Sequence, residues 1–301
     1  LLKLTSKVQY KTCEKGEFHE ITLRGLDDTQ ELLLNFSWER ERHLTSVELT
    51  CPSITVEHPG GTYLKVGPYF SGKYALYYLS PRKKIYFRVV NTLEEASSAI
   101  KQFFEHHGLL HEGTKYGFVF KPSTYFSTNT FEYTADRESA KAFFIGPAIT
   151  AAMISVMLLV KLFDGSAASI LPFATIMILF QVVMSSPLIY LYLNYRSVDK
   201  NSYLQVSKGS DFFTFGTFDS KVVYNKHNVA EIHAFGTNTN RCPWNNCKIF
   251  EIVFKDGHQV RFSSLLISSS ELRTKFEGYP FKDVRVFFPK FRTASLSCFR
   301  F

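Results

Sequence analysis

"KIFEIVFKDGHQVRF", residues Lys248 to Phe262, places two apolar runs on either side of an Asp-Gly pair. That spacing predicts a β-hairpin, and loop length sets its register. A three-residue loop, Lys255-Asp256-Gly257, puts glycine at the left-handed bulge position. It pairs Phe254 with His258, Ile252 with Val260 and Phe250 with Phe262. All but His258 are apolar, so one face is a core stripe, while Glu251 opposes Arg261 on the other. A two-residue Asp-Gly loop would set Ile252 against Arg261 and Glu251 against Phe262, and the pattern rejects it.

Around this hairpin, residues 197–301 read as a β-rich domain. Further strand-like runs are "YLQVS", "FFTFGTF", "KVVYN" and "AEIHAF". Ser268 and Glu271 form a capping box opening a short helix, Leu272 and Phe276 share one of its faces, and Gly278 ends it. Residues 1–140 show a parallel plan. "HEITLRG", "ELLLNFSWE", "SITVEH", "TYLKV", "YALYYLS" and "KIYFRVV" read as strands separated by turn residues such as Asp27-Asp28 and Pro59-Gly60-Gly61. A helix then starts at Thr92 with Glu95 reaching back, and stops at Gly108.

Between these two β-rich α+β domains, residues 141–196 read as a membrane hairpin. Phe143 to Val160 and Gly165 to Tyr195 are uncharged throughout, and about 20 apolar residues cross a ~30 Å hydrocarbon layer. The linker "KLFDGS" makes the two helices antiparallel neighbours. Lys161 snorkels to one interface, and Tyr190, Tyr192, Tyr195 and Arg196 mark the other. Pro187 predicts a kink. Arg137, Lys141, Arg196 and Lys200 flank the pair against Lys161 alone in the loop, which places both termini in the cytoplasm, in a bacterial inner membrane. The spans hold no carboxylate, histidine or basic pair, so they read as an anchor.

"VVYNKHNVAEIHAF" and the hairpin after it resemble the bacterial pleckstrin-homology-like (PH-like) domains that often follow membrane helices. The shared features are Tyr224, Asn228, Val229 and Ile232, then the Asp256-Gly257 turn and a short helix, over about residues 203–278. The resemblance implies a bent antiparallel barrel closed by its helix, used for binding and scaffolding, with no catalytic residues to carry over. Eukaryotic relatives hold phosphoinositides with clustered Lys and Arg in the first hairpin. The corresponding stretch here, "SKGSDFF", offers only Lys208.

The charge is uneven. Residues 1–140 carry 17 basic against 17 acidic side chains, and residues 196–301 carry 16 against 9. A basic C-terminal domain suits an acidic partner, either anionic lipid headgroups or an acidic protein surface. In the tail, Arg285, Lys290, Arg292 and Arg300 alternate with phenylalanines, as a bilayer contact would. Alternatively, Val284 to Phe288 is an extra strand with a loose end. Nucleic acid ranks below both, because no nucleic-acid motif is present. The five cysteines show no disulfide framework, and the first residues hold no apolar run of signal-peptide length.

Cys242 and Cys247 are the weak candidates for metal or redox chemistry. Their spacing departs from both the zinc-ribbon and the dithiol pattern, so they read first as a loop between strands. His227, His233 and His258 complete a site only if the strands gather them. His106, His107 and His111 lie at a helix end that Gly108 breaks. No phosphate loop or nucleophile elbow occurs, and no cofactor is implied. The reading is a non-enzymatic, membrane-anchored scaffold that binds a protein partner or an anionic surface. The alternative is a membrane-bound enzyme or a thiol or metal sensor using Cys242 and Cys247.

Overall fold

The computed structural model describes residues 2–42, 47–50, 52–108, 110, 113–163, 167–237 and 242–291. These form two compact units. The first comprises Leu1–Thr130 with Ser207–Ser210, and the second Phe131–Val206 with Asp211–Phe301.

The first unit contains β1 (Leu4–Gln9), β2 (Glu20–Arg24), α1 (Leu26–Asn35), α2 (Trp38–Glu41), β3 (Ser53–His58), β4 (Thr62–Pro68), β5 (Tyr74–Leu79), β6 (Ile85–Val90), α3 (Leu93–Glu105) and β7 (Thr114–Lys115). One antiparallel sheet runs in the order β2-β1-β3-β4-β5-β6-β7. Leu4, Val8, Val56 and Leu64 pack with Leu33 of α1 and Ile100 and Phe103 of α3 on one face. The helix start at Thr92 is as expected: the Glu95 N–H donates to Thr92 Oγ1 at 3.3 Å, and Glu95 Oε2 accepts the Asn91 N–H at 3.1 Å.

Two features of this unit depart from the sequence expectation. "ELLLNFSWE" is not a strand; it supplies the second half of α1 and the start of α2. Asp27 and Asp28 lie in the first helical turn rather than in a β-turn, where they favour the positive end of the helix dipole. The second departure is β1, which carries apolar residues on one face only. Its other face turns Lys7 and Gln9 into a buried polar layer. There Lys65 Nζ donates to Gln9 Oε1 at 2.8 Å, and Lys7 Nζ pairs with Glu57 at 2.8 Å.

The second unit contains β8 (Glu132–Thr134), α4 (Arg137–Phe163), α5 (Ala167–Asp199), β9 (Ser202–Gln205), β10 (Phe212–Thr217), β11 (Lys221–Asn225), β12 (Val229–Gly236), β13 (Ile249–Phe254), β14 (Gln259–Ser263), α6 (Ser269–Lys275) and β15 (Phe281–Arg285). Its sheets run β11-β10-β9-β8 and β14-β13-β12-β15. Phe213 and Phe215 of the first sheet meet Phe250, Ile252, Phe254 and Phe262 of the second, and Leu272 and Phe276 of α6 close the core. The opening hairpin has the derived register: Phe250 opposes Phe262, Glu251 opposes Arg261 and Ile252 opposes Val260. Gly257 takes φ +83° at its bulge. The core stripe is buried, at about 1.5–3 kcal/mol per large side chain.

The boundary expected at residue 140 falls earlier. β8 pairs with β9 across the whole helical pair, with Tyr133 opposite Leu204. The helices are therefore an insertion between two neighbouring strands of one sheet. Three residues of strand were too short to read from periodicity. β15 is also unexpected in detail: it covers Phe281–Arg285, earlier than Val284 to Phe288, and runs parallel to β12.

Candidate functional site

The α5 helix carries more residues than a bilayer needs. Phe143–Val160 and Leu171–Asp199 are each long and apolar enough to cross a membrane, and the first is 0% buried. A ~30 Å hydrocarbon layer takes about 20 helical residues at 1.5 Å each, so the stretch Leu171–Asp199 is longer than that by roughly 13 Å. The surplus end is packed. Leu188, Leu191 and Tyr195 form a helical stripe against Cys247, Ile249 and Leu265 of the domain. Tyr195 donates its hydroxyl to the Pro289 carbonyl at 2.7 Å. Asn194 exchanges two hydrogen bonds with the Phe291 backbone, at 2.8 and 3.3 Å. Asp199, 0% exposed, accepts from the Ser263 N–H at 2.9 Å.

This corrects the expectation for Tyr195: it is fully buried in the stem cluster rather than facing an interface. Helical spacing put it on the same face as Leu188 and Leu191, and the domain covers that face. Tyr190 is half exposed, with its ring 5.7 Å from Phe288. Tyr192 packs on Phe143 and Phe144, and Arg196 Nη1 donates to its hydroxyl at 3.1 Å. Lys161 lies near the C-terminal end of α4. Arg285 and Lys290 are exposed, whereas Arg292 and Arg300 lie outside the described residues, as do His111, Cys51 and Cys298. The tail's aromatic character is partly structural, since Phe288 and Phe291 pack on the stem.

Within the apolar helix pair, Gln181 was not singled out by its sequence context. Its Nε2 donates to the Pro147 carbonyl at 3.0 Å, and its Oε1 accepts from Thr150 at 2.9 Å, clasping α5 to α4. The α5 helix continues through Pro187. Proline has no N–H for the Val183 carbonyl, and the Ser186 hydroxyl donates to that carbonyl at 3.2 Å instead.

The cysteine loop lies against the same stem. Trp244 Nε1 donates to the Phe287 carbonyl at 2.8 Å, and its ring meets Phe287 and Phe288 edge-on. Cys242 and Cys247 are free thiols. Burial, reinforced by Cys242, pushes the Cys247 thiol up to about 12, so it is protonated at neutral pH and a poor nucleophile. The histidines are engaged elsewhere. His233 sits between Glu231 at 2.7 Å and Glu251 at 3.4 Å, His258 stacks on Tyr224, and His227 lies 3.5 Å from Asp211. Among the described residues, no group of three or more His, Cys, Asp or Glu side chains could hold a metal. The "SKGS" loop joins β9 to β10, which pair antiparallel as a hairpin. There the Lys208 N–H donates to Glu14 and the Gly209 N–H to Glu17.

Between the hairpin and the domain lies a cleft of about 830 Å³. Phe143, Ile145, Pro147 and Leu188 form its apolar wall. Lys248, Arg273, Asp283 and the serines ahead of α6 form its polar wall. Asp283 joins both cations, at 3.6 Å from Lys248 and 2.6 Å from Arg273. Thr237 also lines the cleft, and its buried Oγ1 has no partner among the described residues.

No curated protein and no solved structure shows significant similarity to the chain. A family model does match, and it begins at β8, ahead of the helices, rather than after them. Four strands, the inserted helices, three strands and α6 thus fall inside one family match: residues 132–275 match the PH domain, and this segment is PH-like.

Proposed function

We propose that this protein is a non-enzymatic, membrane-anchored scaffold. Its PH-like domain binds a protein partner or an anionic surface close to the bilayer. The observation that carries this reading is the insertion point. The hairpin leaves at Thr134 and returns at Ser202, in strands paired in one sheet. Both helix ends must therefore emerge on the same side, as two spans require, and the packed end of α5 holds the domain at the headgroups. The basic flanks then set that side as the cytoplasm of a bacterial inner membrane. PH domains serve as binding modules, and the basic C-terminal third supports an acidic partner.

Single cysteines introduced at the exposed Arg82 and Asp219 test the topology. Both should react with a membrane-impermeant maleimide only after the cytoplasmic face is opened, and the chain should resist alkaline extraction. Labelling of either in intact cells, or release by alkali, refutes the reading. Cys13 is unsuitable as a probe, because burial pushes its thiol up to about 12.

A further inference from the structure

We propose that the cleft at the base of the PH-like domain holds one anionic glycerophospholipid, with its phosphodiester at Lys248 and Arg273 and its acyl chains against the hairpin. The proposal rests on the membrane reading above and names a ligand for a place that reading leaves empty. Its volume, about 830 Å³, falls in the range of small-molecule sites. Its two walls differ in chemistry as the two ends of a lipid do.

The depth is right for a headgroup. The apolar wall on α4 comprises Phe143, Ile145 and Pro147, where the uncharged run begins. Four residues of helix rise about 6 Å, so the cleft opens at the boundary between headgroup and hydrocarbon. Charge selects the class of headgroup. Lys248 and Arg273 share Asp283, leaving one net positive charge among these three side chains. That balance suits a singly charged phosphodiester and disfavours a polyphosphorylated inositol, whose extra charges would face the Asp283 carboxylate. Arg273 offers a planar fork for phosphate oxygens.

A second, independent observation also points to a ligand. Thr237 is 7% exposed, lines the cleft and has a buried hydroxyl without a partner among the described residues. Buried polar groups are normally hydrogen-bonded, and a lipid phosphate or ester oxygen would accept from this one. The location differs from the Lys-rich first hairpin of eukaryotic relatives.

The test uses the full chain in nanodiscs of phosphatidylcholine with or without phosphatidylglycerol, followed by native mass spectrometry of lipid retained after release. The wild-type chain and a Lys255→Gln control at the exposed hairpin turn should each retain one phosphatidylglycerol in preference to phosphatidylcholine. The Lys248→Met/Arg273→Gln double variant should lose that preference by at least about tenfold, the scale of one charge-assisted hydrogen bond. Thr237→Val should also weaken retention, which keeps the proposal falsifiable if the double variant does not fold. Equal retention by all variants overturns the proposal, as does displacement of lipid by millimolar inorganic phosphate or stronger retention of a phosphatidylinositol bisphosphate. A chain that resists alkali but retains no lipid refutes this proposal alone; a chain released by alkali refutes the membrane reading beneath it.

Discussion

The end of α5 allows a sharp comparison, because two leucines two residues apart have opposite surroundings. Leu191 is 0% exposed in the stem cluster, whereas Leu193 is 57% exposed on the same helix. Leu191→Ala removes a buried side chain and leaves a cavity, at about 2–5 kcal/mol. Leu193→Ala should change stability by no more than about 0.5 kcal/mol. Cys247 supplies the probe, since it sits in the same cluster at 1% exposure. Its alkylation requires local opening, and where closing outpaces reaction the rate follows the opening equilibrium. A loss of about 3 kcal/mol therefore accelerates Cys247 labelling roughly 150-fold, while Leu193→Ala accelerates it about twofold. The assay is site-resolved mass spectrometry of labelled peptides at fixed pH, so that the thiolate fraction stays constant. Equal rates for the two variants would show that the end of α5 is not part of the domain, and the account of a rigid stem would fail.

Other expectations follow from single positions. Gly108 has φ +80°, and a Cβ there would sit 2.5 Å from Thr62 Oγ1 and 2.7 Å from His58 Cβ. Gly108→Ala should therefore destabilise the first unit well beyond Gly257→Ala, whose Cβ meets nothing within 4 Å and which pays only the backbone strain of about 1 kcal/mol; urea midpoints would separate the two. Gln181→Leu should weaken the helix pair by about 0.6 kcal/mol, up to ~2 kcal/mol, read as a change in energy transfer between probes on α4 and α5. Lys282, and secondarily His233, hold the Glu231 carboxyl below its ordinary range. A depressed folded value gives stability that is present above the unfolded carboxylate pKa and lost as pH falls through the folded one. Glu231→Gln should flatten that acid-side loss in a pH series of urea midpoints, and an unchanged slope would refute the assignment.

Local patterns carried much of the fold. The register of the Lys248–Phe262 hairpin followed from alternation and one glycine, because a one-residue slip would have turned the core stripe outward. Capping at Thr92 and Ser268 was legible because it involves residues three apart. The α1 segment was misjudged because "ELLL" has no clear period, and its burial on the sheet decided it as helix. The candidate cleft was not legible at all: Phe143, Thr237, Lys248, Arg273 and Asp283 come from five separate stretches of chain.

The sequence alone determined that two uncharged stretches long enough to span a bilayer stand between β-rich regions, because length and composition are properties of the chain in order. It also determined the hairpin beside them, whose partners are neighbours in sequence. Only the tertiary structure decided that the helices interrupt one domain, since the pairing of Tyr133 with Leu204 spans about seventy residues that leave no local trace of it. The same long-range packing moved Tyr195 from an expected interface into a core, and set an apolar helix wall opposite Lys248 and Arg273.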